Sequence, residues 1–245
     1  MRQILLISIL LSLAGCATTP ISDIKAVNTH VSRIAPTSEI TESLFGSDTA
    51  ILSNEAVKEI LEGSIKFPAS PTIAVLQFGK NNSAIRYYGW SYFRSEEYMD
   101  IQQKYVETLL KDIKEVNSVK KVKLVPKMMI SDPMSLPKMR EAAVRLQAHL
   151  LLIYNLKSDI FEKYRLFKKD EFKAYANCEA VLLDTRTGII PFSTIVTKRH
   201  FTKKASSDTD INESRKRAET EVSAKCLADI SKQVSEFLNS IPRNL

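Results

Sequence analysis

Residues 72–78 read TIAVLQF, a nearly unbroken apolar run of strand length that follows Pro71 and precedes Gly79. A strand with one face in water alternates apolar and polar residues, whereas a strand buried on both faces reads as a continuous apolar run. The run therefore predicts a strand that is covered on both sides. Residues 149–157 (HLLLIYNLK) predict a further strand, and neither run is long enough to span a bilayer.

Four segments around these strands carry helical signals, with a capping residue at the start and apolar residues that recur every three or four positions. They are residues 55–62, residues from Ser95 to about 115, a segment that begins at Ser135, and residues from Asp208 or Asp210 to about 239. The regular spacing predicts that each longer helix buries one face.

Three further segments are predicted strands. Residues 119–125 (VKKVKLV) carry lysines that suit an exposed strand near a sheet edge. Residues 171–184 and 189–201 flank a turn, DTRTG, in which Gly188 can adopt positive φ, so they predict a hairpin. After the short helix the order is β-α-β-α-β-β-β-α. It predicts an α/β (α+β) fold, a single domain with a mixed five-stranded sheet and helices packed on it.

The amino terminus predicts export. Residues 4–13 are a ten-residue apolar run behind a basic start, too short to cross a bilayer but typical of a signal-peptide core. The run ends in Leu13-Ala14-Gly15-Cys16, which resembles the bacterial lipobox. That resemblance implies that residues 1–15 are removed and that Cys16 carries lipid, enough for stable membrane anchoring.

The signal also divides the chain and predicts where it resides. Residues 16–53, with the lipidated cysteine, read as a flexible tether, and residues 54–240 as a globular periplasmic domain. Ala17 follows the cysteine, and in the enteric sorting pattern that this signal resembles such a residue allows transfer to the outer membrane. We therefore expect the periplasmic face of the outer membrane, with the inner membrane as the alternative.

The sequence contains no motif for catalysis or cofactor binding. Its histidines, His30, His149 and His200, lack metal-ligand spacing, and no glycine-rich phosphate loop or nucleophile elbow occurs. We therefore expect a protein that is not an enzyme and holds no metal or cofactor. The formal net charge of +7 could favour anionic lipids, but an exported, anchored chain would rarely meet nucleic acid.

Two cysteines remain after Cys16 is assigned to the anchor. Cys178 lies in a predicted strand, on the same face as three alanines, and Cys226 lies on the apolar side of the last helix. In an oxidising compartment an even pair can form a disulfide, which here would tie the sheet to the last helix. Two separately buried thiols are the alternative.

Two segments are candidates for binding a partner. The first is an aromatic group between the first strand and the second helix, consisting of Tyr87, Tyr88, Trp90, Tyr92 and Phe93. Such side chains are enriched at interfaces, although the loop could instead fold back over the sheet or touch the membrane. The second is residues 161–172 (FEKYRLFKKDEF), which alternate aromatic and charged side chains and can form the end of a long hairpin.

Three stretches carry a family resemblance: residues 73–78 (IAVLQF), 148–153 (AHLLLI) and 181–188 (VLLDTRTG). In this order they look like a group of periplasmic proteins that includes the curli-secretion-channel lipoprotein, the lipoprotein activator of peptidoglycan synthesis and the amino-terminal domain of the Tol propeller protein. The layout is also similar to rhombotarget lipoproteins, without their carboxy-terminal tail. The resemblance implies an envelope lipoprotein with a mixed sheet.

These observations predict a non-enzymatic, lipid-anchored periplasmic lipoprotein that binds an envelope protein as an accessory or assembly factor. Membrane contact would come through Cys16. One alternative is a subunit of a homo-oligomeric outer-membrane secretion complex, although residues 161–172 are too short and too charged for two membrane strands. The other alternative is an enzyme without a recognisable motif.

Overall fold

A computed structural model describes residue 44 and residues 53–63, 65–79, 95–131, 134–163, 171–206, 208 and 210–241. These residues belong to one compact unit, Ile34–Leu245. The elements in chain order are α1 (Asn54–Glu62), β1 (Thr72–Gln77), α2 (Glu96–Glu115), β2 (Lys121–Leu124), a 3₁₀ turn (Lys127–Met129), α3 (Leu136–Arg145), β3 (Leu150–Lys163), β4 (Glu171–Asp184), β5 (Phe192–Lys203) and α4 (Ile211–Ser240).

The strands form one mixed sheet in the order β2-β1-β3-β4-β5. β1 pairs in parallel with both β2 and β3, and β3, β4 and β5 form an antiparallel meander. The predicted fold class and mixed five-stranded sheet are therefore confirmed. The lysine-bearing strand β2 lies at one edge, as its composition predicts, while the apolar strands β1 and β3 lie inside the sheet.

The meander is longer than the sequence predicts. β3 continues to Lys163, six residues past the predicted end, and β5 runs from Phe192 to Lys203 instead of residues 189–201. β3 extends this far because it pairs with β4 without interruption, from Leu150↔Asp184 to Lys163↔Glu171. The outer part of this ribbon buries one face only, so its sequence is mixed in polarity and gives a weak strand signal.

The larger core lies between the sheet and helices α2 and α4. α4 lays a row of buried apolar residues on the meander: Ala218, Val222, Cys226, Leu227, Ile230 and Val234. The facing row on β4 is small and ends with one large ring: Ala180, Cys178, Ala176, Ala174 and Phe172. Small side chains let the helix approach the strand closely, which gives dense packing over the length of the hairpin.

A smaller core lies on the opposite face, under α3. It joins α3 residues Met139, Ala142 and Ala143 to side chains of β1 and the first part of β3. Leu44 packs against this core, and its carbonyl oxygen accepts a hydrogen bond of 3.1 Å from the Leu136 N–H. The segment predicted to be a tether therefore contacts the body at this point.

Capping groups set the ends of the longer helices. The Ser95 hydroxyl accepts from the Tyr98 N–H at 3.2 Å, and an Asp210 carboxylate oxygen accepts from the Glu213 N–H at 2.8 Å. These contacts confirm both predicted helix starts. Ser135 occupies the corresponding position before α3, but its side chain makes no capping hydrogen bond.

A buried carboxylate supports the start of α4. Asp208 accepts hydrogen bonds from the Ser214 hydroxyl, from the Ala205 N–H at 2.9 Å and from the Arg217 guanidinium at 2.6 Å. The bond from Ser214, with those from Ala205 and Arg217, lowers the pKa of Asp208 although burial acts in the opposite direction. A lowered pKa means that ionised Asp208 stabilises the folded state.

We expect Asp208→Asn to lower the midpoint of urea unfolding at neutral pH. Because the pKa of Asp208 is lower in the folded state, its contribution is complete above the unfolded pKa of about 4 and disappears as pH falls through the folded pKa. The difference between variant and parent should therefore shrink in acid. Asp100→Asn, at an exposed position of α2, serves as the control. If Asp208→Asn lowers the urea midpoint by the same amount at neutral pH and in acid, then ionised Asp208 does not stabilise the folded state in this way.

Alanine substitutions of two phenylalanines on opposite faces of the hairpin test how the hairpin packs against α4. Phe172 is 1% exposed against α4, whereas Phe201 is 67% exposed on the other face. We expect Phe172→Ala to lower the free energy of unfolding by about 3–5 kcal/mol. Phe201→Ala should change it by less than about 0.5 kcal/mol. Chemical denaturation of both variants measures the difference, and similar losses would show that the assigned faces are wrong.

Candidate functional site: the open face of the meander

Several residues predicted to be functional lie outside the described ranges. They are Cys16 and the aromatic group Tyr87, Tyr88, Trp90, Tyr92 and Phe93. Their roles therefore stay predictions. The ends of the second candidate segment are described: residues 161–163 close β3 and residues 171–172 open β4, which places this segment at the end of a long hairpin.

The outer part of the meander has one face that no described helix covers. The small core under α3 ends near Ile153 and Val181, and beyond it the side chains that point away from α4 are half-buried or exposed. We call this surface the open face. Its central residues are Asp159 and Phe161 on β3, Lys173, Tyr175, Asn177 and Glu179 on β4, and Ile195, Thr197, Arg199 and Phe201 on β5.

Aromatic rings and cations interleave at the far end of the open face. Phe161 meets Tyr175 edge to face, with ring centres 5.4 Å apart and planes at 88°. Lys173 Nζ lies 4.8 Å from the centre of the Tyr175 ring and 5.2 Å from that of Phe201. The Arg199 guanidinium carbon is 5.8 Å from the Tyr175 ring. These are cation–π distances, so the rings hold both cations on the surface.

Strand register assembles this cluster from three separate segments. Phe161 pairs across to Lys173, which pairs across to Phe201. In the adjacent row, Asp159 pairs with Tyr175, which pairs with Arg199. Side chains opposite one another on neighbouring strands lie about 5 Å apart, so each row forms one continuous patch. Of this cluster only Phe161 lies in a segment predicted to bind a partner. The members on β4 and β5 were not predicted, although their alternate spacing along residues 173–179 and 195–201 was the available signal.

Two large apolar side chains of the open face are mostly in water. Ile195 is 72% exposed and Phe201 is 67% exposed, both on the same strand. Neither Lys173 nor Arg199 forms an ion pair with a carboxylate among the residues that the structure describes. Exposed apolar side chains on a face that also carries charged and polar groups are typical of an interaction surface.

A polar row crosses the open face between the aromatic cluster and Ile195. The Thr197 hydroxyl donates to the Asn177 side-chain oxygen at 2.8 Å, and the Asn177 amide donates to a Glu179 carboxylate oxygen at 3.2 Å. These bonds fix the orientation of the Asn177 amide. The row therefore offers a partner preoriented hydrogen-bonding groups beside the apolar and cationic ones.

The helical side of the body carries a shallow groove between the first halves of α2 and α4. Its charges are largely paired: Lys216 with Glu97 at 2.6 Å and Lys225 with Glu221 at 2.8 Å. The hydrogen bond from Lys225, opposed by burial and supported by His200, lowers the pKa of Glu221. Paired surface charges of this kind are typical of a solvated helix face, not of a catalytic site.

Metal sites and membrane-spanning helices are both absent from the residues that the structure describes. Nowhere in those ranges do three or more His, Cys, Asp or Glu side chains gather so that they could hold a metal ion. None of the described helices combines the length and the apolar composition needed to cross a membrane.

The two cysteines meet behind the open face, between β4 and α4. Both are buried and are free thiols in this structure. The Cys226 thiol donates to the Val196 carbonyl oxygen at 3.1 Å and lies 3.7 Å from that of Ala176. The hydrogen bond with Cys226, together with burial, raises the pKa of the Cys178 thiol. The bridge between them stays a prediction.

No protein-family model matches the sequence, and no curated protein matches it either. Solved structures do match. A neuraminyllactose-binding hemagglutinin homolog from Helicobacter pylori is 12% identical, with 73% of this chain and 89% of that chain covered and a TM-score of 0.40. Lipoprotein GNA1162 from Neisseria meningitidis is 10% identical, with 69% and 99% covered and a TM-score of 0.35. The PelC dodecamer from Paraburkholderia phytofirmans is 14% identical, with 66% and 88% covered and a TM-score of 0.34.

Proteins named as bacterial lipoproteins are thus among the structural neighbours of this chain. Their low identities and TM-scores carry no argument about what this chain binds or how it assembles. The more specific resemblance to the curli-channel group stays a prediction.

Proposed function

We propose that this chain is a lipid-anchored protein of the bacterial envelope that binds another envelope protein through the open face. It acts as an accessory or assembly factor and not as an enzyme. Two features support the proposal: the signal and lipobox-like sequence that ends at Cys16, and the uncovered aromatic and cationic surface of the meander. The observation that carries it is the exposure of Ile195 and Phe201 on the open face, with Lys173 beside Phe201.

The chemistry of the open face fits a protein partner. Interface centres are enriched in aromatic residues and arginine, and a few such side chains commonly supply most of the binding energy. Tyr175 and Phe201 give apolar area on a rigid sheet, and Arg199 is held by the Tyr175 ring. A partner that covers these rings would remove their apolar area from water without a large loss of side-chain freedom.

The lipid anchor would determine where in the cell envelope this binding module lies. Lipid on Cys16 would confine the body to one membrane surface, and Ala17 favours the periplasmic face of the outer membrane. Confinement raises the effective concentration of the module toward any partner on the same surface. A modest open face can therefore be sufficient for binding in the envelope.

The open face is tested by photocrosslinking in cells. A photoreactive phenylalanine analogue replaces Ile195 in one version of the full chain and Met128, which is 92% exposed on the 3₁₀ turn, in the other. We expect the first version to give a discrete adduct with one envelope protein and the second to give none. Adding Arg199→Ala and Phe201→Ala should reduce the adduct about tenfold or more, the equivalent of about 1.4 kcal/mol.

The other outcomes of this experiment are decisive. No adduct from position 195, or equal adducts from both positions, contradicts a role for the open face. An adduct between two copies of the chain contradicts a different protein as partner and favours a homo-oligomer. Mass spectrometry of the excised adduct separates these results.

The anchor is tested separately with Cys16→Ser. We expect this change to abolish incorporation of labelled fatty acid and to release the chain from the membrane fraction. The body should keep its resistance to trypsin, because the described fold does not involve residue 16. Ala17→Ser is the matched control and should remain lipidated. A Cys16→Ser chain that still carries label and sediments with membranes would contradict the anchor.

A further inference from the structure

We propose that Cys178 and Cys226 are the two halves of a structural disulfide that fastens α4 to the sheet behind the open face. The inference rests on the exported location in the proposed function, because such bonds persist in oxidising compartments. It does not depend on the identity of any partner. The supporting observations are the placement of the two sulfur atoms, their burial and their surroundings.

The register of the hairpin places the sulfurs together. Val196 on β5 is directly opposite Cys178 on β4, and Ala176 precedes Cys178 by one step on the same face. The Cys226 sulfur is within 3.1 Å of the Val196 carbonyl oxygen and within 3.7 Å of the Ala176 carbonyl oxygen. It therefore lies over the position of Cys178, and each thiol shifts the pKa of the other.

The surroundings favour a permanent bond over a reactive dithiol. Both cysteines are 0% exposed, among alanines of β4 and apolar residues of α4. Catalytic and sensor cysteines are instead accessible to solvent. The charged side chains that act on these thiols, Lys198 and Asp229, pair with each other.

Formation of the bond follows ordinary thiol–disulfide exchange with a disulfide oxidant, such as an exported oxidoreductase or oxidised glutathione. One cysteine loses its proton and attacks the oxidant, which forms a mixed disulfide and releases one oxidant thiolate. The second cysteine, also deprotonated, attacks the sulfur of the first and releases the other thiolate. The pair loses two electrons and two protons, and the oxidant disulfide becomes two thiols.

Burial determines when this exchange can occur. With α4 packed, neither sulfur is reachable by an oxidant. The bond must therefore form before α4 docks on β4, or while the helix transiently opens. Once formed, it should resist reductants until the protein unfolds.

The first test uses the full chain isolated from bacterial membranes and labelled with N-ethylmaleimide in denaturant without reductant. Trypsin should release residues 174–186 (AYANCEAVLLDTR) and 226–232 (CLADISK). We expect these peptides to be joined, and to separate on reduction. Both peptides carrying the label would show reduced thiols in the cell.

A second arm separates the disulfide from the location. The full chain is reduced in urea and refolded with oxidised glutathione in detergent micelles. Labelled, unlinked peptides after this treatment overturn the inference whatever the cell shows. A third outcome is that the peptides are linked after refolding but carry the label when the chain comes from cells. This outcome supports the pairing of the two cysteines and counts against the exported location.

A third measurement asks whether the bond is structural. The loop from residue 178 to residue 226 is long enough that loop-closure entropy predicts about a thousandfold lower unfolding equilibrium constant in the oxidised chain than in the reduced chain. Urea unfolding of the same chain in both states measures this ratio. The paired variant Cys178→Ala with Cys226→Ala is the control and should not respond to reductant. An unchanged constant in the parent chain would overturn the structural role.

Discussion

The packing of α4 against the small side chains of β4 is the contact on which the outer part of this structure depends. α4 has 30 residues and is about 45 Å long, and the 14 residues of β4 extend about 48 Å, so one helix can cover the length of the hairpin. Ala174, Ala176 and Ala180 allow the close approach. A long antiparallel ribbon needs at least one buried face to be stable in water, and here α4 provides it.

The two faces of the sheet are covered unequally, and this inequality produces the candidate site. α3 has 10 residues, about 15 Å of helix, and its core reaches β1, the first part of β3 and the last part of β4, at Val181 and Leu183. The sheet therefore has helices on both sides near β1 and on one side near the end of the meander. The uncovered region exposes Ile195 and Phe201 on rigid strands, where a binding surface loses little conformational freedom when a partner docks.

Charge is distributed differently on the two sides of the body. On the helical side, Lys216 and Lys225 pair with carboxylates, so their fields are largely cancelled. On the open face, aromatic rings hold Lys173 and Arg199, which leaves their positive charge available to a partner. This contrast is the reason that we propose the meander, and not the charged groove between the helices, as the interaction surface of the described body.

The sequence by itself determined the elements with strong periodic or continuous apolar signals: the buried strands β1 and β3, the helices capped by Ser95 and Asp210, and the hairpin turn with Gly188 at a φ of 78°. Local propensity suffices for these because each signal lies within one segment. The open face was decided by the tertiary structure. Phe161, Tyr175 and Phe201 come from three strands, and only the pairing register brings them together, while their exposure depends on how far α3 extends over the sheet. Neither register nor helix coverage is encoded in any single segment.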